Sequence, residues 1–416
     1  MLNPSQAHKF GYVASNQLLT ELCVFARNVI VARIVGAETL GEFIFLVLSI
    51  RLFAMSTDLA AERHIISVKD KEIDGALAAA HFTARIRGGL LAIILLFMGL
   101  YNVQGISFLS YLLLALAALV RGYTHQGYRL HQRSLNFRPA LCVEGVTVVL
   151  GTIGVFFATS MAPTLEAVCA CMLLQGFMHT ALSHIMSDAA YRSDFDMQKL
   201  NKLFHFGTPL LLTGVTMFWS MQGERVILSA LLPADAFAHF SMMFQLALVP
   251  VLVLSRMTLT IGLPMFAAER ENSENFEYKL KNVHIWIYGL AVFFMAGFIF
   301  FANPLLTLMF GADFKAETIA IFLVAFAQAL RLCRAPQSVA AQALGQTDIP
   351  FKANLVRVFA VLVAITSVMS GGSLVTLLII ACFGEGAAWT AQGLMFSLRN
   401  RRTQQIQAPQ PQEILQ

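Results

Sequence analysis

Charge is what this sequence has least of. Asp, Glu, Lys and Arg make up 13% of its 416 residues, while apolar residues make up 57%. Soluble chains carry about 25% charged residues, and the mean hydropathy here is +0.68. No long polar segment interrupts the chain, which excludes a water-solvated globule and implies a chain embedded almost throughout in lipid. A GxxxxGK[ST] loop is missing, which excludes an ATP motor built into this chain. No HExxH and no His/Cys group at ligand spacing occurs, so neither a metal nor any other cofactor is expected. The six cysteines (Cys23, Cys142, Cys169, Cys171, Cys333 and Cys382) fall in or beside apolar runs. They suggest small buried thiols rather than a disulfide framework. The net charge of +5 fits membrane topology better than nucleic acid, which is not expected as a partner.

What is present is a series of apolar runs of bilayer length. They lie near 12–35, 40–62, 82–101, 107–129, 139–159, 165–188, 206–232, 235–264, 283–302, 317–340, 351–370 and 373–397. The expected fold is therefore all-α and polytopic, with about twelve transmembrane helices. The first run has no small-residue cleavage site and reads as an uncleaved helix rather than a signal peptide. Most of the 29 Lys and Arg fall on one side of this pattern, from Lys9 through Arg63, Arg121, Arg192, Arg270, Arg331, Arg334 and Arg357 to Arg402. Positive residues are retained in the cytoplasm, so both termini are expected there, and an even number of spans follows. Basic residues beside the membrane favour anionic lipid headgroups.

An internal repeat is legible. ALVRGYTHQGYRLHQ at 118–132 is similar to ALRLCRAPQSVAAQ at 329–342, with Arg121 matching Arg331 at an offset of 210. AETLGEF at 37–43 is similar to ADAFAHF at 234–240, at an offset of 197. Six helices per repeat is an even number, so the halves share one orientation and would be related by a pseudo-two-fold along the membrane normal. The expected organisation is a six-helix bundle at 1–195, a second at 196–398, and a polar cytoplasmic tail at 399–416.

A charge inside the membrane is costly and marks a substrate or ion pathway by default. Glu21 and Arg27 lie in the first run, Arg51 and Asp58 in the second. At 100° per residue, Gln17, Glu21 and Asn28 share one face, and Asn16, Thr20 and Arg27 form another stripe about 100–140° away. A hydrogen-bonded helix seam would also use such residues, but a Glu with an Arg exceeds what a seam requires. Arg51 and Asp58, seven residues apart, share a face but are too far apart to pair. Gln245 and Arg256 repeat the pattern in the eighth run. Glu224 and Arg225 are adjacent in the seventh and point apart. Glu144, the stripe Gln175–His179–Ser183, and Glu385 with Gln392 complete the intramembrane candidates.

Three stretches carry a family resemblance. ARIVGAETLGEFIFLVLSIRLFAMSTDL resembles the opening of the polysaccharide and oligosaccharide flippases of the multidrug/oligosaccharidyl-lipid/polysaccharide (MOP) exporter superfamily. FGTPLLLTGVTMFWSMQGERVILSALLPADAFAHFSMMFQLA resembles the start of their second half, and RGYTHQGYRLHQRSLNF their fourth-helix exit. The resemblance implies two six-helix bundles around a central cavity, working by alternating access, and a transporter rather than an enzyme. For the Wzx type it implies transfer of an undecaprenyl-diphosphate-linked oligosaccharide from the cytoplasmic to the periplasmic leaflet of a bacterial inner membrane. Such a flippase serves surface polysaccharide synthesis, with a polysaccharide polymerase and a chain-length regulator as possible partners. Related lipid II flippases place arginines on the first, second and eighth helices, where Arg27, Arg51 and Arg256 stand here. The implied substrate-binding set is Arg27, Arg51, Arg256, Asn28 and Gln245. Glu21 and Asp58 are coupling-ion candidates, and Arg225, Glu224, Glu144 and Glu385 are further cavity candidates. A drug or cation antiporter on the same fold, or a membrane enzyme of surface-glycan assembly, are the alternatives.

Overall fold

In lipid every backbone N–H and C=O must be satisfied within its own segment, so a chain this apolar has to be helical. The computed structural model describes residues 4–134, 136–270 and 272–407, with side chains described from residue 19 to 400. Lys9, Asn16, Gln17 and most of the expected tail at 399–416 lie outside the described side chains. No strand occurs among the described residues.

The long helices of the first half are α1 (Pro4–Ile34), α2 (Ala37–Ser56), α3 (Ile73–Leu100), α4 (Phe108–Gly122), α5 (Arg138–Met161) and α6 (Leu165–Ile185), with a short helix at Ala61–Ser67 between α2 and α3. The second consists of α7 (Met197–Leu231), α8 (Ala234–Ala268), α9 (Ser273–Phe310), α10 (Thr318–Ala343), α11 (Asp348–Met369) and α12 (Leu374–Gln407). Among the described residues, nine helices are long and apolar enough to cross a membrane. A tenth results if α4 and the 3-10 segment Gln126–Ser134, bent from it by 50°, form one span. The count omits α1 and α7, whose internal charges lower their hydropathy. Each expected span thus corresponds to a helix, and two of them are wetter than the rest.

The chain forms two compact units that divide inside α7. The first is Met1–Val215 with Ser229–Ala238 and Met309–Gly311; the second is Thr216–Leu228, His239–Leu308 and Ala312–Gln416. The boundary expected at 195/196 falls just ahead of this helix. Within the first unit α4 packs between α3 and α6, and α1 lies along α5. Within the second, α12 packs against both α10 and α11.

Two interruptions shape the first unit. At 15 residues, α4 is only about 22 Å long, short of the roughly 30 Å hydrocarbon core. Irregular backbone at such depth is tolerated where protein or a watery cavity covers it. Here His81 and His125 cover it: the Gln126 amide donates to His81 Nε2 at 3.0 Å, and the Gly127 amide to His125 Nδ1 at 2.9 Å. The second interruption is a π-helical turn at Leu141–Val146 in α5, which carries Glu144.

Candidate functional site

Arg27, Arg51 and Arg121, on the first, second and fourth helices, form no salt bridge among the described residues. Arg27 is buried on α1; its Nη1 meets Met172 Sδ at 2.6 Å, and its Nε is buried without an acceptor. Arg51 is exposed on α2 and Arg121 is exposed near the end of α4. Both are cations whose fields reach Arg27. Asn28, beside Arg27, is buried as well, and Glu21 is half-buried one and a half turns away.

The acids of this unit are mostly committed elsewhere. Asp58, expected on the face of the second span, lies instead beyond the end of α2 at Ser56. Its Oδ1 accepts from the Ala60 amide at 3.0 Å and lies 3.7 Å from Arg87 Nη1. A short side chain that bonds backbone two residues on competes with the helix and ends it. Glu144 and Glu62 share Arg129, each at 2.8 Å from its Nη2, and Tyr128 donates to Glu144 at 3.1 Å. Glu144 therefore belongs to a fixed polar cluster below the break in α4.

In the second unit buried acids and arginines pair with one another, and Arg334 Nη1 stands 4.0 Å from Glu385 Oε2 at the edge of the group. Glu385 on α12 has no exposed surface and accepts from Arg331 Nε at 2.9 Å, Arg331 Nη2 at 2.5 Å and Arg357 Nε at 3.0 Å. Arg357, on α11, reaches on through its Nη2 to Glu224 on α7. Arg331 also donates to Gln328 and to the Ser220 carbonyl, each at 3.3 Å. Gly384 makes this convergence possible: a Cβ there would stand 2.5 Å from the Cβ of Ala360 on α11. Four helices, α7, α10, α11 and α12, are tied by one buried network. Arg225 is buried beside it and donates to Gln222 at 3.0 Å. On α8, Gln245 is half-buried and Arg256 exposed; eleven residues apart, they share one helix face.

Arg331 and Arg357 read as cytoplasmic-side charges in the sequence, yet both are buried. A usable signal existed: Glu224 and Glu385 stand alone in apolar runs, and a buried carboxylate requires a cation. Arg121 also reads as a membrane-surface residue in the sequence; it stands one residue before the end of α4 and is exposed.

Comparison with known proteins places this geometry. A model of the family described as "Polysaccharide biosynthesis protein" matches residues 30–318. No curated protein matches the chain. Among solved structures, lipid II flippase MurJ in an inward closed conformation is similar at a TM-score of 0.73 and 16% identity, covering 93% of this chain and 87% of that one. An inward-facing multidrug resistance MATE family transporter of the MOP superfamily is similar at 0.71 and 15%, covering 92% and 96%. A MOP superfamily transporter from Pyrococcus furiosus is similar at 0.59 and 15%, covering 92% of both chains. At such identities the likeness is one of fold: the helices follow the MOP transporter arrangement.

Proposed function

We propose that this chain, which belongs to the polysaccharide biosynthesis protein family, is a flippase for a lipid-linked oligosaccharide. Its substrate is an undecaprenyl-diphosphate-linked repeat unit, carried from the cytoplasmic to the periplasmic leaflet of a bacterial inner membrane by alternating access. Both termini lie in the cytoplasm. The observation that carries this reading is the surplus of cation in the first unit, where Arg27 is buried without a counter-charge. A buried positive charge is stable only against an anion, and a diphosphate is the anion that polysaccharide precursors bring.

Arginine suits the task because its planar fork matches phosphate oxygens and its charge is permanent. At low dielectric a charge-assisted contact outweighs sugar hydroxyl bonds, which exchange almost evenly against water. The headgroup is held by Arg27 and Arg51, with Asn28 as neutral partner; Arg256 and Gln245 have the same pairing of roles on α8. One set of arginines then serves many glycans. Glu21, which has no ion pair among the described residues, is the proposed coupling group, whereas Asp58 is tied to Arg87. Glu224 and Glu385 are held by arginines, which leaves them unsuited to the proton or cation exchange of an antiporter. A polymerase and a chain-length regulator are the proposed partners downstream.

The test is complementation of surface-glycan export in a strain lacking the protein. Arg51→Ala is expected to abolish export at normal abundance, and Arg51→Lys to lose most of it, since lysine keeps the charge but loses the fork. Export at wild-type level in Arg51→Ala would refute the reading.

A further inference from the structure

The repeat seen in the sequence is also a repeat of helix boundaries. α1 and α7 end at Ile34 and Leu231, α2 and α8 begin at Ala37 and Ala234, and both offsets are 197. α4 and α10 begin at Phe108 and Thr318, an offset of 210, and α6 and α12 begin at Leu165 and Leu374, an offset of 209. These offsets carry the buried network of the second unit onto named positions of the first. Arg331 falls on Arg121, Glu224 on Arg27, and Glu385 on Gly176.

The contacts agree with this register. Arg331 meets Glu385 in the second unit. In the first, the nearest side-chain atom to a Cβ built at Gly176 is Arg121 Cγ, at 3.6 Å. Met172, one turn from Gly176 on the same face of α6, is the residue that meets Arg27. Residues i and i+4 lie about 6 Å apart along a helix, so α6 carries Arg27 and Arg121 side by side. One acid of the second unit has become an arginine and the other a glycine, and the site has inverted its charge.

A count of charges gives the size of the inversion. Asp58 is paired with Arg87, and Glu62 and Glu144 share Arg129. Glu38, Glu42 and Glu166 sit in the first two turns of α2 and α6, about 15 Å along those helices from Arg51 and Gly176. The pair of acids on Arg129 leaves one negative charge, and Glu144 of that pair also acts on Arg121. Arg27, Arg51 and Arg121 therefore face Glu21 and that charge, an excess of one, with Arg27 and Arg121 against the same face of α6. A diphosphate brings two phosphoryl groups to two guanidinium groups, whereas a monophosphate brings one.

We infer that Arg121 is a specificity-determining residue of the anion site in the first unit, selecting a diphosphate over a monophosphate by engaging the second phosphoryl group. This rests on the proposed function and adds to it the residue that sets the linkage. Gly176 contributes by leaving space for the Arg121 stem. The end of α4 at Gly122 contributes by placing Arg121 at the break.

The experiment measures binding of farnesyl diphosphate and farnesyl phosphate to the purified full-length protein in detergent. The wild type is expected to prefer the diphosphate by about tenfold or more, the worth of one charge-assisted contact. Arg121→Gln should bring that ratio close to one by weakening the diphosphate, with the monophosphate changed by less than about threefold. Arg121→Lys keeps the charge and serves as the folded control; losing the fork, it should give an intermediate ratio. A ratio that Arg51→Ala abolishes but both Arg121 variants retain would overturn the inference and leave the proposed function standing. A wild type that binds neither probe, or binds both equally, would overturn the diphosphate reading itself, and the inference with it.

Discussion

Glu385→Gln tests the ionic network of the second unit most sharply. The wild-type carboxylate accepts three hydrogen bonds from two guanidinium groups and has no exposed surface. Glutamine keeps the shape and one acceptor oxygen but removes the charge, leaving Arg331, and Arg357 in part, buried without compensation. Removing one partner of a buried pair costs about 3–5 kcal/mol, and the retained acceptor puts this change near the lower end. About 3 kcal/mol is a roughly hundredfold shift in the folded-to-unfolded ratio. For a unit of this size it corresponds to a fall of about 6–12 °C in thermal midpoint. With Cys382 kept as the single cysteine, a thiol-reactive fluorophore reports unfolding of this unit at a fixed scan rate, since Cys382 is buried one turn before Glu385. Combining Arg331→Met with Glu385→Leu removes the charge together with its nearest partner and leaves Arg357 to Glu224, with Arg334, 4.0 Å from the wild-type carboxylate, as the one cation that loses its partner. Because an apolar replacement of a complete pair is nearly neutral, at least half of the lost midpoint should return. A fall of less than about 2 °C in Glu385→Gln, or a double variant no better than the single, would refute the account.

Two further outcomes follow from topology and surface charge. In a background lacking the six native cysteines, Ala162→Cys and Ser370→Cys should react with an impermeant maleimide added to intact cells, and Asp194→Cys should not; labelling at 194 would break the proposed orientation. Outside the spans, Lys279 bonds Glu269 at 2.6 Å and holds its carboxyl below the ordinary value of 4.5. That contribution to stability is present above 4.5 and is lost as pH falls through the lowered value, so the small midpoint difference between wild type and Glu269→Gln should vanish in acid.

The sequence by itself determined that this chain is helical and lives in a membrane, because 13% charge over 416 residues admits no other solvent and lipid admits no other backbone. It also determined where the long helices lie and the offsets of the repeat, since apolar length and spacing are one-dimensional quantities. Glu21, Arg27 and Arg51 are legible as charges inside the long helices α1 and α2 for the same reason. Partnership was decided only in three dimensions. Arg331 and Arg357 look like membrane-surface charges until α10, α11 and α12 close around Glu385, a contact that spans 54 residues of sequence for Arg331 and 28 for Arg357. Asp58 looks like part of a span until its carboxylate bonds the Ala60 amide and ends the helix. In each case a periodic pattern states which face a side chain occupies, whereas only packing states what stands opposite, and for a charge at low dielectric the opposite group sets the energy.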